Sequence, residues 1–268
     1  MLKDITLGQF FPGDTFLHRL DPRIKLVCVV LYIVALFNAN SPLTYGIMFL
    51  ALAVAVIMSG VPLRSLTRGL KAVYIIVLFT AVMNLFFTPG TAVGATWLGR
   101  HITAEGIRAA VAMVLRIVML ITGTFLLTYT TSPISLTDAL ESLLRPLKKL
   151  GFPVHELAMM MSIALRFIPT LIEETDKIIS AQKARGADFE SGSLLRRAKA
   201  LVPILVPLFI SAFRRADELA TAMECRCYHG GQGRTALHVL RCRAVDWAVL
   251  FLCALLPAAV ITLKTLGL

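Results

Sequence analysis

The hydrophobic pattern of this chain is dominated by long stretches that contain no charged residue. Asp, Glu, Lys and Arg are absent from residues 26–63, 72–99 and 247–263. A helix needs ~20 residues to cross the hydrocarbon core of a bilayer, so uncharged tracts of this length predict membrane-spanning helices. The first tract is long enough for two spans, and turn-forming residues from Asn38 to Pro42 interrupt it. They predict a helical hairpin at this point.

Five transmembrane helices follow from this pattern. We place them near residues 24–38, 43–60, 70–88, 106–130 and 245–263. Basic residues cluster before the first span, between the second and third, and in residues 131–243, which hold 16 of the 27 Lys and Arg residues. Cytoplasmic loops of membrane proteins are enriched in Lys and Arg. The pattern therefore predicts a multi-pass protein of the cell membrane with a cytoplasmic N-terminus.

Residues 131–243 are too apolar for a disordered linker and too long for a loop. Apolar residues recur there at helical spacing, opposite a charged face, and predict amphipathic helices near 135–150, 155–185 and 194–226. The predicted fold class is an all-α integral membrane protein. Its predicted regions are a four-span membrane region (1–130), a cytoplasmic region of long amphipathic helices (131–243) and a C-terminal span (244–268).

The two longer amphipathic helices form a weak internal repeat. The first carries Asp176 and Arg185 where the second carries Asp217 and Arg226, and each arginine precedes a break in the helical pattern. Two matching helices on one membrane protein indicate a single device that is used twice, against two similar partners.

The segments at the two helix ends are Ala184–Gly186 and Cys225–Cys227. For an isolated Ala-Arg-Gly tripeptide, helix capping is the ordinary interpretation. The matched arginine favours a second interpretation, in which Arg185 and Arg226 dock onto partner proteins. An arginine suits docking because its planar fork binds carboxylates or carbonyl groups in a fixed geometry.

Arg116 lies within the predicted span 106–130. A charge inside a span is costly and is usually paired or functional. Two interpretations stay open for Arg116: a structural polar contact inside the chain, or a contact with a substrate-binding partner.

Several other chemistries find little support in the sequence. The chain has no G-x-x-x-x-G-K-[ST] phosphate loop, so we predict no ATP binding by this chain and no catalytic site. The cysteines and histidines near Cys225 match no standard zinc pattern, so no metal site is predicted. The net charge of +11 is concentrated beside the spans, which indicates a membrane topology signal rather than a nucleic-acid partner.

Five segments together resemble the transmembrane (T) component of energy-coupling factor (ECF) transporters, a class of ABC importers. They are His18–Lys25, Asp138–Leu147, Ala164–Thr170, Ala181–Gly186 and Arg214–Ala220. The resemblance extends over nearly the whole chain, and it is greatest to the version that several vitamin-binding subunits share.

This resemblance implies a bacterial membrane subunit that couples two ABC ATPase subunits to a substrate-binding membrane (S) component during vitamin or micronutrient uptake. It implies no cofactor in this chain, with ATP and Mg bound by the ATPases. Arg185 and Arg226 would be the docking arginines of cytoplasmic coupling helices. The second motif departs from the family pattern, since Cys225 and Cys227 flank its arginine. The alternative function is a self-sufficient secondary carrier, which would need polar, broken helices at the bilayer midplane.

Overall fold

The computed structural model describes residues 10–89, 91–97, 100–187, 189, 194–230 and 240–266. In chain order its elements are α1 (Phe16–Arg19), α2 (Pro22–Asn38), α3 (Pro42–Ser59), α4 (Leu63–Phe87), β1 (Ala92–Trp97), β2 (Arg100–Thr103), α5 (Ala104–Thr130), α6 (Pro133–Leu144), a 3₁₀ helix (Arg145–Leu150), α7 (Val154–Ala184), α8 (Leu194–Cys225) and α9 (Ala244–Thr265). The described part of the chain is helical apart from one short hairpin, and the predicted fold class is confirmed.

The described chain divides into two compact units. One contains the described parts of residues 8–139 and 240–268, and the other contains those of residues 140–239. We call them the membrane unit and the long-helix unit. The membrane unit holds α1 to α5, the hairpin and α9, whereas the long-helix unit holds α7 and α8.

Each predicted span corresponds to a helix: α2, α3, α4, α5 and α9. Among the described residues, five helices are long and apolar enough to cross a membrane, and four of them are α3, α4, α5 and α9. The fifth is α7, which the sequence predicts as a cytoplasmic amphipathic helix. It qualifies because Arg166 is the only charged residue between Glu156 and Glu173. Helix α2, with 17 residues, is at the short end of the range that spans a bilayer.

Two local features differ from the prediction. Helix α4 begins at Leu63 rather than near residue 70, so Arg64, Arg68 and Lys71 lie on its first turns and not in a loop. Lys and Arg are good helix formers, and charge marks the limit of a lipid-facing stretch rather than the limit of a helix. The antiparallel hairpin of β1 and β2, which joins α4 to α5, was not predicted at all.

The turn between α2 and α3 forms as its sequence predicts. Ser41 is the N-cap of α3, and Thr44 donates its backbone N–H to the Ser41 hydroxyl at 3.3 Å. The Thr44 hydroxyl in turn accepts the Ser41 backbone N–H at 3.1 Å, so the two residues form a reciprocal cap. Pro42 occupies the first turn, where its missing N–H costs nothing.

The core of the membrane unit lies where α2, α3, α5 and α9 meet. Ala35, Leu36, Met48, Met119 and Val260 are almost fully buried there. Large apolar side chains elsewhere on these helices face outward, with Ile57 of α3 and Ile75 of α4 about four-fifths exposed (80% and 78%). Such a surface is expected where the solvent is lipid rather than water.

Candidate docking ends of the two long helices

Helix α7 ends in a backbone motif that fixes the position of Arg185. Gly186 adopts a φ of +84° and donates its N–H to the Lys183 carbonyl at 3.0 Å. Ala187 donates its N–H to the Gln182 carbonyl, also at 3.0 Å. These two hydrogen bonds define a Schellman C-cap, with Arg185 at the C-cap position.

Helix α8 ends in the same motif. Cys227 adopts a φ of +55° and donates its N–H to the Glu224 carbonyl at 2.8 Å. Tyr228 donates its N–H to the Met223 carbonyl at 3.0 Å, which leaves Arg226 at the C-cap position. The structure therefore agrees with the correspondence of Arg185 and Arg226 that the sequence repeat predicts.

Both arginines are presented outward by these caps. Arg185 and Arg226 are exposed, as are Ala184, Gly186, Cys225 and Cys227 on either side of them. Neither arginine forms an ion pair with a residue in the part of the chain that the structure describes. Each helix end thus offers a guanidinium group, on a rigid backbone turn, whose hydrogen-bonding donors are available to a partner.

The two helices are joined by side-chain contacts within the long-helix unit. Arg215 of α8 donates to the Glu174 carboxylate of α7 at 3.0 Å. Gln182 of α7 donates to the Pro203 carbonyl of α8 at 3.4 Å. Because the later α7 residue meets the earlier α8 residue, the helices run in roughly opposite directions past each other.

Arg185 and Arg226 are placed symmetrically about the Glu174–Arg215 ion pair. Arg185 follows Glu174 by 11 residues, and Arg226 follows Arg215 by 11 residues. At 1.5 Å per residue, each helix end lies ~16 Å beyond the ion pair. The two ends point in opposite directions, so one pair of helices carries two equivalent arginines at its two opposite ends.

The positive φ of Cys227 carries an energetic cost. A residue with a Cβ atom loses roughly 1–2 kcal/mol in the left-handed region, whereas glycine does not. We expect Cys227→Gly to stabilise the protein by about 1 kcal/mol, because glycine removes this strain. The measurement is the unfolding midpoint of the purified protein. Gly186→Ala is the matched control. It should destabilise the protein to a similar extent, because it puts a Cβ on a residue with positive φ. An added Cβ at Gly186 meets no atom within 4 Å, so this strain is its whole effect. Equal midpoints for Cys227→Gly and the parent protein would contradict this account.

Arg116 has a partner inside the chain. Its Nη2 donates to the Ala39 carbonyl at 2.8 Å, and its guanidinium carbon lies 5.9 Å from the ring centroids of Phe37 and Tyr45. Ala39 is the C-cap of α2, so the positive charge sits at the negative end of that helix. Of the two interpretations of Arg116, the structure shows the polar contact inside the chain. A contact with an S component stays a prediction.

No metal site is evident in the described residues. They contain no group of three or more His, Cys, Asp or Glu side chains that could hold an ion. His238, one of the residues near Cys225 considered from the sequence, lies outside the described part of the chain.

A buried polar network, which sequence reasoning missed, ties together α2, α5 and α9. Lys25 donates to the Thr130 carbonyl at 2.9 Å, and the backbone N–H of Asp21 donates to the Asp246 carboxylate at 3.1 Å. The Cys242 thiol donates to the Asp21 carboxylate at 3.4 Å. Asp21, Lys25 and Asp246 are all less than a tenth exposed. The available signal was the presence of charged residues at the very starts of the first and last spans.

The class of protein follows from these features. Among the described residues, five helices are long and apolar enough to cross a membrane, which defines a multi-pass helical membrane protein. The sequence matches the CbiQ family, described as cobalt transport protein, over residues 13–237.

Curated relatives of high sequence identity show which kind of transport protein this chain resembles. A protein from Acidaminococcus fermentans is 56% identical over 240 residues, covering 90% of this chain and 89% of its own length. One from Clostridium kluyveri is 55% identical over 256 residues (95% and 94%), and one from Listeria innocua is 46% identical over 265 residues (99% and 100%). All three are named energy-coupling factor transporter transmembrane protein EcfT. The chain therefore belongs to the CbiQ family and, within it, to the transmembrane components of ECF transporters. The predicted resemblance is confirmed, and the chain is a membrane subunit of a transporter rather than an enzyme.

Proposed function

We propose that this chain couples two ATPase subunits to a substrate-binding membrane S component, and that it thereby drives the uptake of vitamins or other micronutrients. The observation that carries the proposal is the pair of equivalent exposed arginines at the ends of α7 and α8. Arg185 and Arg226 share one backbone motif, and they lie 11 residues beyond the two ends of one ion pair. A pair of similar ATPases fits this duplicated device.

The docking contact uses the chemistry of the arginine side chain. A guanidinium group at a rigid helix end can bind carboxylates, or the C-terminal carbonyls of a partner helix, through two parallel hydrogen bonds. ATP and Mg²⁺ bind in the ATPases, whose closure moves the two docked helix ends. The Glu174–Arg215 ion pair holds α7 and α8 together, so movement of one end is transmitted to the other helix.

A surface for the S component is available on α8. Val202, Val206, Phe209 and Phe213 recur at helical spacing and are each more than half exposed. An exposed apolar stripe of this kind marks an interaction surface for an apolar partner. The S component is such a partner because it is itself a membrane protein.

The proposed function requires that the docking ends face the cytoplasm. The basic clusters favour a cytoplasmic N-terminus and cytoplasmic docking ends, on the side of the membrane where ATP is available. The chain contains no phosphate-binding loop, so the energy for transport comes from the partner ATPases.

Reconstitution of the components tests the proposed division of labour. Proteoliposomes that hold this chain alone should neither hydrolyse ATP nor take up a labelled vitamin. Vesicles that also hold the ATPases and a vitamin-binding S component should do both, whereas omission of any one component should abolish uptake. Vitamin uptake by the chain alone would refute the coupling function and favour a self-sufficient carrier.

A further inference from the structure

A cleft of about 500 Å³ opens in the membrane unit between α3 and α5, next to the turn that joins α2 to α3. Most of its wall is apolar, and the residues on which the following argument rests are Tyr45, Gly46, Phe49, Arg108 and Leu115. Phe49 is 60% exposed and Leu115 is 40% exposed, so the cleft is open toward the surrounding lipid.

Gly46 keeps this cleft open. It lies inside α3, where glycine is an unfavourable residue. A Cβ atom added at Gly46 would meet nothing within 4 Å, so no close helix contact in the described structure requires a glycine here. The effect of the missing side chain is space on the cleft wall.

Polar groups lie at one end of the apolar cleft. Arg108, on the first turns of α5, is exposed and forms no ion pair with a described residue. The nearby Glu105 carboxylate accepts the Thr91 backbone N–H at 2.8 Å. The Tyr45 hydroxyl is buried and has no hydrogen-bond partner in the described part of the chain.

The position of Arg108 within the span identifies the chemistry of the occupant. Arg108 is the fifth residue of α5, so it lies at the level where the spans end and lipid headgroups begin. An arginine at this depth extends toward the interface and attracts phosphate, while apolar walls below it accept hydrocarbon. A ligand with an anionic head and an apolar chain satisfies both requirements at once.

We propose that this cleft binds one anionic phospholipid, with the headgroup phosphate at Arg108 and an acyl chain along the Gly46 face of α3. The residues that line the cleft include neither Arg185 nor Arg226, and the lipid site does not depend on the coupling function. The charge of Arg108 favours a phospholipid over an uncharged partner helix in the same space.

Native mass spectrometry of the purified full-length chain tests this site, with phosphatidylglycerol and phosphatidylcholine as the probes. The parent protein should retain phosphatidylglycerol more tightly than phosphatidylcholine. Arg108→Gln should weaken phosphatidylglycerol binding about fivefold, the effect of one basic residue near a lipid surface. Gly46→Leu should weaken it about tenfold or more, because several methylene contacts are lost.

Two matched variants serve as controls. Arg108→Lys keeps the charge and should bind within about twofold of the parent protein. Val54→Leu adds bulk to an exposed position two turns further along α3 and should bind like the parent. The proposal would be overturned if both Arg108→Gln and Gly46→Leu bound phosphatidylglycerol as the parent protein does. Equal retention of phosphatidylglycerol and phosphatidylcholine by the parent would also overturn it. So would a Gly46→Leu variant that binds lipid normally but no longer associates with an S component, since the occupant would then be a partner helix.

Discussion

Replacement of both Arg185 and Arg226 by Ala is expected to abolish stable association with the ATPase subunits and to leave membrane insertion intact. If the arginines only cap their helices, each replacement costs a few tenths to ~1 kcal/mol of helix stability. If they dock, each replacement removes a charge-assisted contact and leaves a partner group unpaired, which costs ~2–5 kcal/mol at an interface. The second range corresponds to more than tenfold in affinity for each arginine.

The relative affinities of the variants for the ATPases distinguish docking from helix capping. Arg185→Ala and Arg226→Ala should each weaken ATPase binding, and the double variant should be weaker than either, because each arginine serves a different ATPase. Arg→Lys should restore binding only in part, since lysine keeps the charge and loses the planar fork. The measurement is the affinity of the purified chain for its ATPases.

Lys183→Ala is the matched control for Arg185→Ala. Lys183 is an exposed cation in the last turn of the same helix, so its removal has a similar effect on the helix end. It should leave ATPase binding nearly unchanged. If the double arginine variant binds its ATPases as tightly as the parent protein does, both residues act only as helix caps.

Lys25→Ala is expected to destabilise the membrane unit by ~1–3 kcal/mol, the cost of leaving the buried Thr130 carbonyl without its hydrogen-bond donor. The charge of Lys25 also interacts electrostatically with the carboxylates of Asp21 and Asp246 without forming an ion pair with either, and all three residues are buried. Its ammonium group also donates to the Thr130 carbonyl, so its removal leaves that acceptor unpaired. The measurement is the unfolding midpoint, together with the amount of folded protein recovered from membranes.

Two comparisons make the Lys25 result specific. Arg23→Ala removes a more exposed cation whose Nε lies 4.0 Å from the same Asp21 carboxylate, and it should cost less than ~1 kcal/mol. Replacement of Lys25, Asp21 and Asp246 together by Met, Asn and Asn should be less damaging than Lys25→Ala alone, because no charge is left buried. A Lys25→Ala protein with the same unfolding midpoint as the parent would show that the buried polar network contributes little to stability.

The sequence predicts the helices well where composition changes sharply at their ends. Helices α2, α3, α5 and α9 begin and end within two residues of the predicted bounds, because uncharged tracts stop at polar turns or caps such as Ser41. The start of α4 was placed too late, since basic residues continue a helix as readily as they end a span. The hairpin of β1 and β2 has no clear alternation of polar and apolar residues, so the pattern offered no strand signal.

The candidate site was predictable only in part. The repeat predicts that Arg185 and Arg226 are equivalent, and their shared cap geometry agrees with this. The left-handed conformation of Cys227 was not predicted, because glycine is the usual signal for it. The buried network joins residues 21 and 246, far apart along the chain, and a local pattern carries no information about such a pairing.

ATP-driven vitamin uptake by vesicles that hold the complete set of subunits tests the central claim most directly. The parent chain, Lys183→Ala and the Arg185→Ala/Arg226→Ala variant are compared at equal amounts of folded protein. Docking through the two helix ends predicts uptake with the parent and with Lys183→Ala, and little or none with the double arginine variant. Uptake by the double variant at the rate of the parent would contradict the claim that these arginines transmit the motion of the ATPases.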